Sequence, residues 1–203
     1  MIIGICGFIG SGKDTAADYL VNFHEFRRES FANSLKDSVA SVFGWDRSLL
    51  EGRTKESRAW REQVDTWWAE RLNMPKLTPR WILQQWGTEV LRNHFHDDIW
   101  IASIENKLRQ TGDNIVITDC RFPNEIKSIR RLGGKIIWVM RGELPVWYEF
   151  AVQANKGDAL AREYLDEAGI HASETSWVGT DFDHIVDNNS SIDNLYSKLK
   201  SLV

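Results

Sequence analysis

A glycine-rich segment close to the N-terminus constrains this chain more than any other feature. Residues 7–15 read Gly-Phe-Ile-Gly-Ser-Gly-Lys-Asp-Thr, and a glycine, four residues and then Gly-Lys is the spacing of a phosphate-binding loop. Glycines permit positive φ angles and leave no side chains in the way, so successive backbone N–H groups can converge on phosphate oxygens. Lys13 adds a charge that can bridge the β- and γ-phosphates of a nucleotide.

The segments on either side of this loop support the interpretation. The apolar run at residues 1–6 predicts a buried strand, and the apolar positions at residues 16–21 predict one face of a following helix. The residues that we expect to bind ATP in the loop are Gly10, Ser11, Gly12, Lys13, Asp14 and Thr15. Since Asp14 stands where a Ser or Thr usually holds magnesium, we expect Asp14 to hold the metal through water, or Thr15 to take part of that role.

Length, charge and cysteine content limit the class of protein. The chain has 203 residues, enough for one α/β domain, and its net charge of -4 argues against a broad nucleic-acid interface. Cys6 and Cys120 lie in or beside predicted strands, which indicates reduced thiols in a cytoplasmic setting rather than disulfides. No apolar run approaches the ~20 residues needed to span a bilayer, and we expect no targeting segment before the first strand.

Strand-like and helix-like segments alternate along the chain. The predicted strands are residues 1–6, 25–31, 114–119, 135–140 and 183–187, and the predicted helices include residues 14–24, 33–43, 99–108, 124–132 and 192–202. This alternation after a phosphate-binding loop predicts a P-loop NTPase α/β fold in three layers. We expect a parallel five-stranded sheet covered by helices on both faces, with ligands at the carboxyl ends of the strands.

Two segments depart from the alternation within what we expect to be one domain. Residues 45–95 are rich in Trp, Arg and Glu and contain Pro75 and Pro79, which predicts an all-helical insertion. Residues 142–177 are polar and helix-forming without a strong apolar stripe, which predicts a mobile lid. Five of the ten tryptophans lie between Trp60 and Trp86, and they form either the core of the insertion or a stacking slot for a nucleobase.

Charged residues follow two of the predicted strands. A carboxylate at the position of Asp119 suits magnesium or its bound waters, and the alternative is that Asp119 caps the next helix. Arg121 and Arg141 come just after two predicted strands that follow each other along the chain, and arginines can bind phosphate oxygens in pairs. A surface ion pair with Glu125 is the alternative role for Arg121.

Five segments together resemble the phage deoxynucleoside monophosphate kinase family. They are spread over nearly the whole chain, at residues 7–15, 31–36, 78–89, 119–125 and 171–174, and include Arg-Phe-Pro-Asn-Glu, Gly-Thr-Glu and His-Ala-Ser-Glu. The resemblance implies transfer of the γ-phosphoryl group of ATP to a deoxynucleoside 5′-monophosphate with Mg²⁺, a nucleoside-monophosphate-kinase fold and a dimer. The family shares the aspartate after the loop lysine, but often has Asp-Pro where this chain has Asn33 and Ser34.

A kinase of this kind must hold two sets of phosphates that repel each other, so we assign charged residues to both substrates. The predicted catalytic residues are Lys13, Arg121 and Asp119, and the predicted metal-binding residues are Asp14, Thr15 and Asp119. In addition to the loop, Arg141 and Arg162 are predicted to bind ATP from the lid. The predicted acceptor-binding residues are Lys36, Arg80, Gln84, Trp86 and Arg121. We expect no general base, because the acceptor phosphate is already close to a dianion at neutral pH.

Other functions fit the same motifs. Within the kinases, the acceptor could be a modified nucleotide, a nucleotide in DNA or another small phosphate. A protein from a different class could use the loop to sense ATP without transferring phosphate. We expect no membrane or nucleic-acid partner, and a location in the cytoplasm, which is that of the host if a phage encodes the chain.

Overall fold

The computed structural model describes all 203 residues. The strands are β1 (Ile2–Cys6), β2 (Phe26–Glu29), β3 (Asn114–Ile117), β4 (Lys135–Met140) and β5 (His184–Asp187). The α-helices are α1 (Lys13–Phe23), α2 (Asn33–Phe43), α3 (Lys55–Arg61), α4 (Thr66–Arg71), α5 (Pro79–Gln84), α6 (Ile99–Leu108), α7 (Pro123–Arg131), α8 (Tyr148–Asn155), α9 (Ala159–Glu167), α10 (Ala172–Thr175) and α11 (Ile192–Lys200). A 3₁₀ turn spans Leu49–Glu51 and a π-helix spans Gln85–Phe95.

The five strands form one parallel sheet in the order β2-β3-β1-β4-β5. β1 lies at the centre, where Ile3 pairs with Val116 on one side and Ile5 pairs with Ile137 on the other. All four of these side chains are buried, as expected for a parallel sheet with both faces covered. The predicted P-loop α/β fold with a five-stranded parallel sheet is confirmed.

The chain divides into two compact units, and the first comprises Met1–Ser30 and Lys107–Val203. Ile3 and Ile5 of the central strand belong to an apolar core that also includes residues of α1 and α11. Gly4, between them, points to the other face, where an added Cβ would lie 2.7 Å from Cδ1 of Ile129 in α7. The first unit therefore has three layers, with helices on both sides of the sheet.

The second unit comprises Phe31–Asn106 and has no strands. Its core contains Leu50, Leu77 and Trp100, and further tryptophans pack against this core while remaining partly exposed. The predicted insertion at residues 45–95 lies within this unit and contains no strand. The sequence pattern did not predict that residues Gln85–Phe95 would form a π-helix, which follows α5 directly.

The lid segment at residues 142–177 is helical as predicted, since it contains α8, α9 and α10. The sequence shows no strong apolar stripe in this segment, but the segment has a buried side in the structure. Its inner side is formed mainly by small residues that a scan for large apolar side chains passes over, and the buried members are Ala151, Ala154, Ala161, Leu165 and Trp177. In the whole structure, no helix combines the length and the apolar character that crossing a membrane would require.

Candidate nucleotide-binding site

The loop between β1 and α1 has a backbone that requires glycine. Gly7, Gly10 and Gly12 have φ angles of 151°, 79° and 98°, in the region that other residues rarely adopt. At Gly7 there is also no room for a side chain, because a Cβ would lie 2.5 Å from the carbonyl oxygen of Val139 and 2.6 Å from Oγ of Ser11. The loop therefore presents bare backbone at the positive end of α1, a suitable arrangement for phosphate oxygens.

Lys13 and Ser11 give this loop its polar side chains. The ammonium group of Lys13 donates hydrogen bonds to the carbonyl oxygens of Gly7 at 2.7 Å and Phe8 at 2.8 Å, so it lies across the loop. Burial, and then the positive charge of Arg121, lower the pKa of Lys13 below its ordinary value. Oγ of Ser11 is buried without a hydrogen-bond partner, although buried hydroxyl groups normally have one. An anion in the loop would stabilise the lysine charge and accept a hydrogen bond from this hydroxyl.

Asn188, directly after β5, contacts the loop, although no sequence motif predicts this role. Its side-chain amide donates to the carbonyl oxygen of Ser11 at 2.9 Å, and its own backbone N–H donates to the carbonyl oxygen of Met140 at 2.7 Å. A side chain at Gly12 would overlap the Asn188 amide. Asn188 therefore links the end of the sheet to the loop, and its position after a strand was the available sequence signal.

Phe8, the second residue of the loop, joins the loop to the lid. Its ring centroid lies 4.8 Å from that of Trp177, 5.4 Å from that of Trp147 and 6.4 Å from that of Tyr148. These three residues belong to the segment that the sequence predicted to be a lid, and Trp177 is 2% exposed. Aromatic packing therefore joins the phosphate-binding loop to the segment at residues 142–177.

Asp119 follows β3 at the carboxyl edge of the sheet, as predicted. Its Oδ2 accepts a hydrogen bond from Oγ of Ser30 at 2.5 Å. Asp119 does not provide the cap of α7, because Glu125 accepts the backbone N–H groups of Arg121 at 2.9 Å and Phe122 at 3.1 Å. The role of Glu125 is therefore to begin this helix, not to pair with the guanidinium of Arg121.

The guanidinium of Arg121 instead faces the lid. It donates to Oγ of Ser173 at 3.3 Å and lies 3.8 Å from a carboxylate oxygen of Glu174. Ser173 is itself bonded to Nδ1 of His171 at 2.9 Å. Since both Arg121 and Glu174 act on the pKa of Lys13, these charges share the neighbourhood of the loop. Glu174 lies in the segment at residues 171–174, for which the sequence predicts no contact.

The predicted metal-binding residues offer oxygen atoms only, which suits Mg²⁺. Asp14 forms an ion pair with Arg28, and this pairing competes with metal binding. Arg28 also donates to Oγ1 of Thr118 at 3.1 Å. No group of three or more His, Cys, Asp and Glu side chains in the structure could hold a metal ion. In P-loop enzymes Mg²⁺ is held by a Ser or Thr hydroxyl of the loop and by an aspartate, together with substrate phosphates, and Thr15 and Asp119 offer these two kinds of ligand.

The two arginines predicted to bind ATP from the lid differ in their contacts. Arg141 follows β4, is exposed and makes no hydrogen bond or ion pair. Arg162 in α9 donates to Oδ1 of Asn155 at 3.0 Å, which ties α9 to α8. The side chain of Arg141 is therefore available to bind a ligand, whereas that of Arg162 is hydrogen-bonded to Asn155 of α8.

Within the second unit, Lys36 is held by an acidic partner. Its ammonium group lies 2.9 Å from a carboxylate oxygen of Glu51, which also pairs with Arg47. Partial burial opposes ionisation of Glu51, but the hydrogen bonds and charges of Lys36 and Arg47 prevail and lower its pKa to about 2. Lys36 would have to leave this ion pair, or share it, to bind an acceptor.

The other acceptor residues predicted in the second unit lie on α5 and the π-helix. Arg80 is half-exposed and pairs with Glu62 at 3.2 Å, and Gln84 is exposed. Trp86 packs against Phe43 with ring centroids 5.6 Å apart and is partly buried in the core. Trp86 therefore packs in the core of the unit, which is the first of the two roles considered for the tryptophans; the other was stacking on a nucleobase.

Comparisons with known proteins show which family the chain resembles. The chain matches the family model described as deoxynucleotide monophosphate kinase over residues 57–199. A relative from Acanthamoeba polyphaga mimivirus is 27% identical over 217 residues that cover 100% of this chain and 96% of the relative. The deoxynucleoside-5′-monophosphate kinase of Escherichia phage T5 is 27% identical over 179 residues, which cover 64% of this chain and 72% of that protein. The deoxynucleotide monophosphate kinase of Escherichia phage RB69 is 26% identical over 272 residues, which cover 100% of this chain and 99% of that protein.

The family match and the loop geometry are independent of each other. The matched residues 57–199 make up more than half of the chain but begin after the phosphate-binding loop, which was identified from its own glycines and lysine. The matched part contains Asp119 after β3, and it contains Arg121 and Glu174, whose charges act on the pKa of Lys13. The chain belongs to the deoxynucleotide monophosphate kinase family.

Proposed function

We propose that this protein transfers the γ-phosphoryl group of ATP to a deoxynucleoside 5′-monophosphate, giving the diphosphate and ADP. The observation that supports it most directly is the membership of the family together with a phosphate-binding loop whose lysine is in place. In the reaction, the bond between the γ-phosphorus and the bridging oxygen to the β-phosphate breaks. A new bond forms between that phosphorus and an oxygen of the acceptor phosphate.

On the donor side, we assign the loop residues Gly10, Ser11 and Gly12 to the β- and γ-phosphates, with Lys13 stabilising the charge that moves during transfer. Ser11 has a buried hydroxyl group without a partner, and Lys13 lies across the loop 2.7 Å from the carbonyl oxygen of Gly7. Asp14, next to Lys13 in the sequence, is also assigned to ATP binding. Arg141, which has no partner in the protein, is assigned to ATP, and Arg162 is assigned to the lid that covers it.

Arg121 is assigned to the phosphates at the reaction centre. Its guanidinium group is half-exposed and faces Ser173 and Glu174 of the lid. A carboxylate oxygen of Glu174 lies 3.8 Å from the Arg121 guanidinium and can fix its orientation until a phosphate binds to that guanidinium. The acceptor phosphate needs no base, because it already carries close to two negative charges at neutral pH.

The second unit is proposed to bind the acceptor, and residues 142–177 are proposed to act as the lid. Lys36, Arg80, Gln84 and Trp86 are the assigned acceptor residues in that unit. Arg80 is half-exposed and its ion pair with Glu62 is a weak surface pair, so a phosphate can replace it. Trp86 supports the unit through its packing on Phe43.

Mg²⁺ is the implied cofactor, and it would neutralise charge on the β- and γ-phosphates when bound. Asp119 and Thr15 are the assigned ligands, directly or through water, and Asp14 is the third candidate. The hydrogen bond from Ser30 orients the carboxylate of Asp119 at the edge of the sheet. We further propose a homodimer and, from the phage relatives, a location in the host cytoplasm.

Product analysis tests the proposed function. The purified protein is incubated with ATP, MgCl₂ and, in separate reactions, dAMP, dGMP, dCMP or dTMP, and the nucleotides are separated by ion-exchange chromatography. We expect equal amounts of ADP and deoxynucleoside diphosphate with at least one acceptor, and very little ADP without one. ATP binding without turnover on any acceptor would show an ATP-sensing protein instead. Transfer only to a DNA oligonucleotide or to another phosphate compound would show a different kinase.

A further inference from the structure

Arg28 in β2 is surrounded by oxygen atoms from two other parts of the first unit. Its guanidinium forms an ion pair with Asp14, donates to a carboxylate oxygen of Asp18 at 3.0 Å and donates to Oγ1 of Thr118 at 3.1 Å. Only 14% of the Arg28 side chain is exposed, whereas 78% of the Asp14 side chain is exposed. Because the arginine is enclosed and the carboxylate is not, Arg28 fixes the position of Asp14.

The backbone explains why these groups meet. Phe26, two residues before Arg28 on β2, belongs to the apolar core that contains residues of α1, so Arg28 faces the same helix. Asp14 and Asp18 are four residues apart on α1 and therefore point to the same side of it. Thr118 follows β3, the strand that pairs with β2. The guanidinium therefore lies where the first turns of α1 meet the carboxyl end of β3.

Ser30, two residues after Arg28, contacts the next residue along the same edge of the sheet. Its Oγ donates to Oδ2 of Asp119 at 2.5 Å, and Asp119 directly follows Thr118. A hydroxyl group orients a carboxylate without neutralising its charge, whereas a guanidinium neutralises the charge of the carboxylate that it pairs with. The end of β2 therefore acts differently on the two aspartates that could bind a metal.

The charge of Asp14 would oppose phosphate binding if it were not neutralised. Burial, and then the charge of Arg121, lower the pKa of Lys13, and the charge of Asp14 acts against them. Asp14 also lies in the first turn of α1, the end of a helix that attracts anions. The phosphates of ATP bring negative charge to the same place, so an unpaired Asp14 would repel them. The ion pair with Arg28 reduces this repulsion.

We propose that Arg28 is a positioning residue that holds Asp14 out of the inner coordination shell of Mg²⁺, so that Thr15 and Asp119 are the protein ligands. This proposal rests on the proposed function, in which Mg²⁺ binds together with ATP. Mg²⁺ usually keeps several waters and takes one or two protein carboxylates besides phosphate oxygens, so a second aspartate is not required. Asp14 then contributes to the site through Arg28, by linking α1 to β2 and to the end of β3.

Binding of Mn²⁺ to the full chain tests the proposal, because Mn²⁺ takes the same oxygen ligands and is detected by electron paramagnetic resonance. Its affinity is measured without nucleotide and with a non-hydrolysable ATP analogue. The variants are Asp14→Asn, Asp119→Asn, Arg28→Met, Arg28→Lys and the double variant Arg28→Met with Asp14→Asn. Arg27→Met is the matched control, because Arg27 is the neighbour of Arg28 on β2, points to the other face and pairs with Glu29 at 3.4 Å. KM for ATP, KM for the acceptor and the thermal midpoint are also recorded.

With the ATP analogue, we expect Asp119→Asn to lose about 10- to 100-fold in Mn²⁺ affinity, and Asp14→Asn to lose at least about tenfold less than that. Without nucleotide, Arg28→Met should bind Mn²⁺ about 5- to 10-fold more tightly than the wild type, because the released Asp14 can then reach the metal. KM for ATP should rise by a similar factor while KM for the acceptor stays the same. Replacing Arg28 in the Asp14→Asn variant should cause neither change. Arg28→Lys should lie between Arg28→Met and the wild type, and Arg27→Met should match the wild type.

Two outcomes overturn the proposal while the kinase activity stands. Equal losses of Mn²⁺ affinity in Asp14→Asn and Asp119→Asn would show that Asp14 is a ligand. An equal gain from Arg28→Met with and without Asp14 would show a general effect of charge, because that effect does not depend on where Asp14 is held. Should Arg28→Met fail to fold, the comparison of Asp14→Asn with Asp119→Asn decides.

The proposed function can fail separately. If the wild type transfers no phosphate to any acceptor, the function is wrong, and Mn²⁺ binding with the ATP analogue still decides whether Asp14 is a ligand. A larger loss in Asp119→Asn than in Asp14→Asn then supports the role of Arg28, and equal losses overturn it.

Discussion

Lys13 is the residue to which we assign the stabilisation of the transferred charge, and its contacts indicate that it contributes little to the stability of the fold. Its ammonium group bonds to two loop carbonyl oxygens, those of Gly7 and Phe8, and not to a residue of the core. Partial burial and the charge of Arg121 disfavour the protonated form of Lys13, and a bound anion would stabilise it. Such a residue contributes more to the bound and transition states than to folding.

We predict that Lys13→Met lowers kcat by about 10²- to 10³-fold, the effect of removing one group that stabilises transition-state charge. The thermal midpoint should stay close to that of the wild type. Lys127→Met, which removes an exposed lysine of α7, is the control and should keep full activity. Steady-state kinetics with calorimetric melting measures both quantities. Near-normal turnover in Lys13→Met would refute the assignment of this lysine.

Asn188 is predicted to position the loop. Asn188→Ala removes the hydrogen bond to the carbonyl oxygen of Ser11, at 2.9 Å, and should lower the free energy of unfolding by about 1 kcal/mol. Since the loop would be less well fixed, KM for ATP should rise while KM for the acceptor stays the same. Asn194→Ala, an exposed asparagine in α11, is the comparison. Equal KM values for ATP in both variants would mean that Asn188 is only structural.

At the scale of the elements, the phosphate-binding loop and the lid segment are linked through one aromatic ring. Phe8 contacts Trp147, Tyr148 and Trp177. Trp147 and Tyr148 lie at the start of α8, and Trp177 follows α10. Removal of this ring would leave a cavity that the surrounding large side chains can fill only in part. The loop and two lid helices should therefore loosen together.

Phe8→Ala tests this link. Because Phe8 is only partly buried, we expect a loss of about 2–3 kcal/mol in the free energy of unfolding, below the range for fully buried phenylalanines. Amide hydrogen exchange measured by mass spectrometry should become faster in Tyr148–Asn155 and Ala172–Thr175. Phe23→Ala serves as the control, since Phe23 is 66% exposed and lies at the end of α1. Unchanged exchange in the lid of Phe8→Ala would show that the packing does not couple the two elements.

The elements with strong periodicity were predictable from the sequence. The bounds of α6 and β4 agree with the prediction, because Ile99–Leu108 and Lys135–Met140 have apolar patterns that end at polar residues. The π-helix at Gln85–Phe95 was not predictable, since it differs from an α-helix only in which carbonyl each N–H reaches. The packing of the lid was missed because alanines form its inner side.

The site was predictable where a motif fixes the backbone, and less so where side chains meet across the fold. The glycines and Lys13 have the positions that their spacing required. The contacts of Asn188 and Glu174 depend on residues far away in the sequence, namely Ser11 and Arg121. No local pattern contains that information. Arg121 itself was named, but its partner was expected to be Glu125 or a phosphate and not the lid.

At the scale of the whole molecule, the tryptophans are distributed unequally between the two units. Seven of the ten tryptophans lie within Phe31–Asn106, the second unit. Glu51 is at the centre of an ion-pair network in the same unit, with Lys36 and Arg47 as partners. Tryptophan fluorescence therefore reports mainly on the unit that contains this carboxylate.

Acid titration should reveal this network. The pKa of Glu51 falls from 4.5 to about 2 in the folded protein, because its two basic partners outweigh the effect of partial burial. A carboxyl with a lowered pKa contributes stability that is present above pH 4.5 and is lost as the pH falls towards 2. We expect Glu51→Gln to lower the urea midpoint at pH 7, and to show less further loss than the wild type between pH 4.5 and 2. Glu70→Gln, at an exposed carboxyl of α4 without an ion pair, should follow the wild type. If Glu51→Gln and the wild type lose stability in parallel over that range, the acid sensitivity of the second unit has another source than Glu51.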